Sequence, residues 1–427
     1  MKRSTDRILT THAGSLPRPR DLLDMVRTRA RGERVDEEAY QARLRLAVGE
    51  IVRRQADLGI DVVDDGEFGK PSFVTYVRER LGGLTRQEGE RQNPWIRSRE
   101  ALSFPEFYAR LAGTVNSRQA LMACTAPITY RGQKELATDL DNLKAALKGV
   151  DVAEVFVPSI SPSNVEEWNR NDHYKSPEQY LYAIAEAMRT EYKAIVAAGF
   201  LVQIDDPVLV SHYMVNPTAT IEQCRKWAQM HVEALNHALK GIPREKIRYH
   251  TCYGINMGPR VHDMEVKDII DVVLRINAGA FSFEAANPRH EHEWTVWAAA
   301  KIPDGAVLIP GVISHSTVLV EHPELIAQRI ARYAAIVGRD NVIAGSDCGF
   351  ATFAGSDEVH ESIVWAKFSA LAEGARIASR ELWAKRATKP DAPKAAQAPK
   401  AAKAPAKAAK SKAKSKAKAR AAKAKRR

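Results

Sequence analysis

His250 and Cys252 stand two apart in Tyr249-His250-Thr251-Cys252-Tyr253-Gly254, Glu284 closes Phe281-Ser282-Phe283-Glu284, and Cys348 follows Gly345-Ser346-Asp347. On an extended segment, a two-residue period turns the imidazole of residue 250 and the thiol of residue 252 to the same face. One imidazole, two thiolates and a carboxylate suit zinc, which favours nitrogen and sulfur donors. The donors come from three separate segments, so spacing leaves a second reading open. A cysteine near a strand end is commonly a small buried hydrophobe, and His250 with Cys252 fits an ordinary core as well.

The elements that would position these residues follow from the apolar pattern. Eight apolar runs bounded by turn residues occur at 8–12, 60–66, 152–160, 200–205, 246–252, 280–284, 306–312 and 341–346. Between them lie stretches of helical spacing, the pattern of repeated strand-helix units. Leu44, Ala47, Val48, Ile51, Val52, Gln55 and Leu58 form one helix face ended by Gly59, and a second helix begins at Ser176-Pro177 with Gln179 in capping position. Eight such units over roughly 380 residues predict a (β/α)₈ TIM-type barrel. A doubly wound open sheet is the rival, weakened because no G-x-G-x-x-G follows the first run. The stretch 68–151 is too long for a connection and holds its own apolar run at 121–130, which predicts an inserted hairpin and helix after strand 2 that partly roofs the barrel mouth. Barrel enzymes carry their chemistry at the C-terminal strand ends, where the four candidate ligands fall.

Composition bounds the rest. The chain has 427 residues and a formal charge of +12, but residues 385–427 hold 17 Lys/Arg and a single acid, Asp391. Residues 1–384 therefore carry a net charge of −4, and a polyanion-binding surface on the body is not implied. The Ala/Lys/Pro-rich segment 385–427 lacks large apolar residues and is expected to be a disordered tail. Its lysines allow weak, nonspecific nucleic-acid contact, or it is a solvated appendage. Four cysteines are too few and scattered for a disulfide framework. No apolar stretch approaches a membrane span or a signal segment, so the expectation is a cytoplasmic protein with no membrane partner, its catalytic barrel over 1–384.

Taken together, several motifs resemble the catalytic barrel of the cobalamin-independent methionine synthase family, in its short single-barrel form. They are Thr10-Thr11-His12-Ala13-Gly14-Ser15-Leu16-Pro17-Arg18, Gly66-Glu67, Cys124-Thr125-Ala126-Pro127, Gln203-Ile204-Asp205-Asp206-Pro207, His250-Thr251-Cys252, Glu284, Pro310-Gly311-Val312-Ile313-Ser314-His315 and Asp347-Cys348-Gly349, in family order. The resemblance implies Zn²⁺ held by His250, Cys252, Glu284 and Cys348, with Glu284 the most labile ligand. It implies methyl transfer to the thiol of homocysteine or a similar amino-acid thiol, giving methionine. Glu67 and Asp205 would recognise the acceptor's ammonium, Ser15 its carboxylate or amine, and His315 would protonate the leaving group of the methyl donor. After Cys348 the chain lacks the basic residues of the long members, which leaves the donor open between methylcobalamin and methyl-folate types. Two alternatives stand beside this reading: a zinc-dependent thiol alkyltransferase of the epoxyalkane coenzyme M transferase type, and a non-catalytic nucleic-acid-associated protein acting through the tail.

Overall fold

A computed structural model describes residues 1–92, 94–111, 118–254, 258–355 and 359–384. The reading of the tail 385–427 lies outside them. The strands, in chain order, are β1 (Leu9–Thr10), β2 (Val62–Val63), β3 (Leu81–Gln92), β4 (Arg118–Tyr130), β5 (Glu154–Ile160), β6 (Arg170–Asn171), β7 (Leu201–Asp205), β8 (Ile247–Thr251), β9 (Ala280–Phe283), β10 (Val307–Ile313) and β11 (Ile343–Ser346).

Eight of these form one parallel sheet in the order β1-β11-β10-β9-β8-β7-β5-β2. The ends of that order meet: the Asp61 amide donates to Thr10 O at 3.1 Å and the Thr11 hydroxyl to Val62 O at 2.8 Å. The cylinder is thus nearly closed and is the TIM-type barrel that the apolar runs predict. Strands buried on both faces need near-continuous apolar sequence, as in β5 and β10, whereas β7 interrupts it with Gln203 and Asp205. Register then aligns the site. Asp205 pairs with His250, and His250 with Ser282, so three neighbouring strands present these side chains in one row.

Helices return the chain between strands. Glu37–Asp57 buries Leu44, Val48, Ile51 and Val52 against the barrel, and its N-terminus is capped by the Asp36 carboxylate. Pro177–Ala197 starts where the Ser176 hydroxyl accepts from the Gln179 amide, as the capping pattern predicts.

The insertion after β2 supplies β3 and β4 of a separate three-stranded sheet, which β6, beyond β5, completes. β3 and β4 pair antiparallel, β6 adds parallel to β4, and short helices at Arg99–Ser103 and Pro105–Leu111 lie between β3 and β4. One buried carboxylate fastens this sheet to the barrel. Glu191, fully buried on the Pro177–Ala197 helix, accepts from Arg80 at 3.1 Å, Tyr76 at 2.8 Å, Tyr130 at 2.8 Å and Ser159 at 2.7 Å. Burial opposes its charge, yet Arg80 and the hydroxyl donors hold the carboxyl below the usual carboxylate range. Removing Glu191 leaves Arg80 with Asp139 as its remaining carboxylate and takes the acceptor from three hydroxyls, so Glu191→Leu should cost about 3–5 kcal/mol in denaturant unfolding. A midpoint unchanged by that substitution would show that the insertion is held by other contacts.

Candidate metal centre and its surroundings

β8 turns Arg248, His250 and Cys252 toward the barrel interior by its two-residue period. Arg248, fully buried, donates to Thr11 Oγ1 and His12 O, both at 3.0 Å, and lies over the Phe156 ring. Its stem and guanidinium fill the interior beneath the row that holds His250. The residues 250 and 252 above it then occupy the C-terminal end of the strand.

His250, Cys252 and Cys348 converge there, their donor atoms all within 4.8 Å of one another and all three residues buried. Cys252 Sγ and Cys348 Sγ are 3.0 Å apart. His250 Nδ1 lies 3.0 Å from Ser282 Oγ, whereas its Nε2 is buried without a partner. A buried imidazole nitrogen without a hydrogen-bond partner, in a residue grouped with two thiols, suits a metal ligand, and the donor chemistry fits zinc. The contact to Ser282 fixes the ring's orientation, the usual arrangement behind a metal-binding histidine. Burial pushes His250 down to about 3, with Arg248 adding to the effect, so it stands neutral and able to ligate.

Glu284 is not in that trio. It groups instead with His315 and Asp347, again within 4.8 Å and buried. Its Oε1 accepts from the Tyr253 amide at 2.8 Å, its Oε2 from Asn287 Nδ2 at 3.0 Å, and Arg260 Nη1 lies 3.6 Å away. Burial alone would raise its pKa, but Arg260, His315 and His290 hold it down at about 2. Asp347 Oδ1 accepts from the Ala285 and Ala286 amides at 2.7 and 2.8 Å, while Oδ2 is unpartnered. Burial and the neighbouring Glu284 push Asp347 up to about 8. His315 is lowered to about 4, chiefly by burial.

Next to these groups sit Asp205, in register with His250, and Ser15, against the Cys348 loop, with Glu67 in the turn after β2. Glu67 takes a left-handed backbone, φ +58°, held by Asp65 Oδ1 accepting its amide and by Arg18 donating to its carbonyl. Gly14, at φ +132°, permits the close approach: a Cβ there would stand 2.8 Å from Glu67 Oε1 and 2.9 Å from Pro158 Cγ. Asp205 ends β7, with Oδ1 accepting from Gln203 Nε2 at 2.8 Å. Ser15 lies against the loop that carries Cys348, because a Cβ on Gly349 would fall 2.1 Å from its Oγ.

Several residues of the site are not among those chosen by motif. Arg260, at φ +63°, bridges Glu284 and Asp263. His290 stacks on Tyr253 at 3.9 Å and bonds Asp263 and Glu293. Lys70 lies 3.6 Å from Glu67. Only the segment 287–293, with two histidines and two glutamates, carried a compositional signal of its own.

Comparisons with known proteins place this geometry. The sequence model of the family described as cobalamin-independent synthase, catalytic domain, matches residues 8–367. A methionine synthase of Thermococcus kodakarensis is 25% identical over 374 residues, covering 87% of this chain and 94% of that protein. One from Saccharolobus solfataricus is 24% identical over 378 residues, covering 87% and 95%. Among solved structures, a B12-independent methionine synthase from Shewanella sp. W3-18-1, in complex with selenomethionine, superposes with a TM-score of 0.68 at 20% identity, covering 88% of this chain and 99% of that one.

His290 supplies a pH test of this region. Burial lowers its pKa, but bonds to Asp263 and Glu293 prevail and raise it to about 9. A raised folded-state pKa contributes stability that is complete below the unfolded value near 6.5 and is lost as pH climbs through about 9. The stability gap between the wild type and His290→Gln should therefore be constant below about pH 6.5 and shrink from there to about pH 9. A gap that stays flat over that range in equilibrium unfolding would mean the imidazole is not charged between its two acids.

Proposed function

This chain belongs to the cobalamin-independent synthase catalytic-domain family, and from that membership we propose that it is a zinc-dependent methyltransferase acting on the thiol of homocysteine or a closely similar amino-acid thiol. The observation that carries the reading is the convergence of His250, Cys252 and Cys348 at the strand ends, where Nε2 of His250 is buried without a hydrogen-bond partner. The methyltransferase activity itself accords with the methionine synthases that align over nearly their whole length.

His250, Cys252 and Cys348 would hold the ion, with Glu284 as the fourth donor once it leaves its amide and guanidinium partners. Bound there, zinc lowers the pKa of a thiol so that it stays a nucleophilic thiolate at neutral pH. The chain's own residues do the remaining work. Glu67 and Asp205 offer carboxylates to the acceptor's ammonium, and Ser15 orients its carboxylate or amine beside the Cys348 loop. His315, buried beside Glu284 and Asp347, would protonate the donor's leaving group.

The decisive experiment crosses homocysteine and coenzyme M as acceptors with methylcobalamin and methyl-folate donors. Methionine should form from homocysteine with one of the donors. Turnover with coenzyme M alone would overturn the amino-acid reading. The purified protein should contain about one zinc per chain, and Cys348→Ser should lose most of it, whereas Ser282→Ala should weaken retention by about 10–100-fold through the unsupported imidazole. Full zinc content in the Cys348 variant would remove that residue from the centre.

A further inference from the structure

His315 is placed without help from its own ring. Among the described residues no side chain holds that ring by a hydrogen bond, and both its nitrogens are buried unpartnered, whereas His250 is steadied by Ser282. A proton donor must come within hydrogen-bond reach of the atom it serves. The position of this imidazole therefore depends on its backbone.

That backbone is tied on both sides. Val312 O accepts from Arg329 Nη1 at 3.0 Å, the Ser314 amide donates to Glu321 Oε1 at 2.7 Å, and the Ser316 amide donates to Ser314 Oγ at 3.2 Å. Glu321 thereby closes residues 314–321 on themselves. Apolar packing of the tip does not do this, because Val318, Leu319 and Val320 are 58, 73 and 46% exposed. Glu321 is in turn held by a cation from the other end of the barrel sequence. Lys367, on the helix Glu361–Trp383, places Nζ 2.8 Å from Glu321 Oε2 and also donates to Leu319 O. The two side chains are 0% and 8% exposed, so the charge-assisted bond between them is largely shielded from water.

We propose that the Glu321–Lys367 pair positions His315 for proton transfer: the carboxylate sets the backbone at residue 314, and the ammonium fixes the carboxylate. Both are positioning residues that act through the loop. The proposal rests on the methyl-transfer reading and adds to it two residues that the reading leaves unassigned.

The step served in this way depends on the donor. From a methyl-folate, the methyl carbon passes from nitrogen to the acceptor sulfur, the C–N electron pair stays on nitrogen, and that nitrogen takes the proton that His315 supplies. From methylcobalamin the same carbon leaves cobalt, the pair remains as Co(I), and no proton is required. A fault confined to the placement of His315 therefore costs one donor and spares the other.

The test is steady-state kinetics of the zinc-loaded full chain with homocysteine and each of the two donors. Glu321→Ala combined with Lys367→Met removes both charges together, so neither is left buried alone. It should lower kcat with methyl-folate by about 10–100-fold, while KM for homocysteine and turnover with methylcobalamin stay within about 2-fold. Glu321→Gln keeps an oxygen for the Ser314 amide and should remain within about 3-fold of the wild type with both donors. In a His315→Asn background the paired substitution should cost nothing further, because groups that act as a unit are not additive. If the paired variant fails to fold, Glu321→Asp keeps the charge opposite Lys367 but draws its oxygen back from Ser314, and should show the same donor-selective loss at about 3–10-fold. Equal losses with both donors, full additivity with His315→Asn, or a Glu321→Gln variant as impaired as the paired one overturns the proposal. A wild type that turns over only methylcobalamin, or one in which His315→Asn costs nothing with methyl-folate, overturns the role of His315 and the proposal with it. A wild type inactive on homocysteine with either donor overturns the reading beneath both.

Discussion

A carboxylate taken out of water loses several kcal/mol of solvation unless a cation or a set of N–H donors replaces what the water supplied. The mouth of this barrel takes on that cost repeatedly, at Glu67, Glu191, Asp205, Glu284 and Asp347, all buried. Each solution is local and different. Glu191 uses arginine and three hydroxyls, Glu284 uses two N–H donors and Arg260, Asp347 uses two backbone amides on one oxygen, and Glu67 uses Lys70. Among the buried side-chain atoms left unsatisfied are Nε2 of His250, Oδ2 of Asp347 and both ring nitrogens of His315.

The same condition explains why the insertion matters to the centre. Glu100, wholly buried on the Arg99–Ser103 helix, accepts the amides of Arg260 at 2.8 Å and His262 at 3.2 Å. Those bonds shape the turn in which Arg260 adopts φ +63°, and that turn delivers its guanidinium to Glu284. An element added outside the barrel thereby sets the charge environment of a candidate ligand inside it.

Much of the architecture was legible from periodicity, because strands buried on both faces cannot hide their apolar runs. The eight runs correspond to the eight barrel strands, and the run at 121–130 lies in β4 of the insertion. The candidate ligands were legible as residue types at strand ends, but only the motif order across the chain separated them from ordinary buried cysteines. Arg260, Lys70 and Arg18 were not legible. Each acts from a loop through a long side chain whose target lies in another segment, and no spacing in the sequence encodes such reach. The grouping of Glu284 with His315 and Asp347 was equally hidden, since it depends on which backbone amides after β8 and β9 are placed to donate to the two carboxylates.

Arg18 joins the two ends of the barrel sequence. It donates to Ala351 O, 333 residues away, as well as to Glu67 and Lys70, and the Phe350 amide returns to Ser15 O. Such contacts are the most expensive in loop-closure entropy and cannot form until the last strand has been made and docked. The corner of the mouth that holds Ser15, Glu67 and Lys70 can therefore be completed only once the last strand is in place.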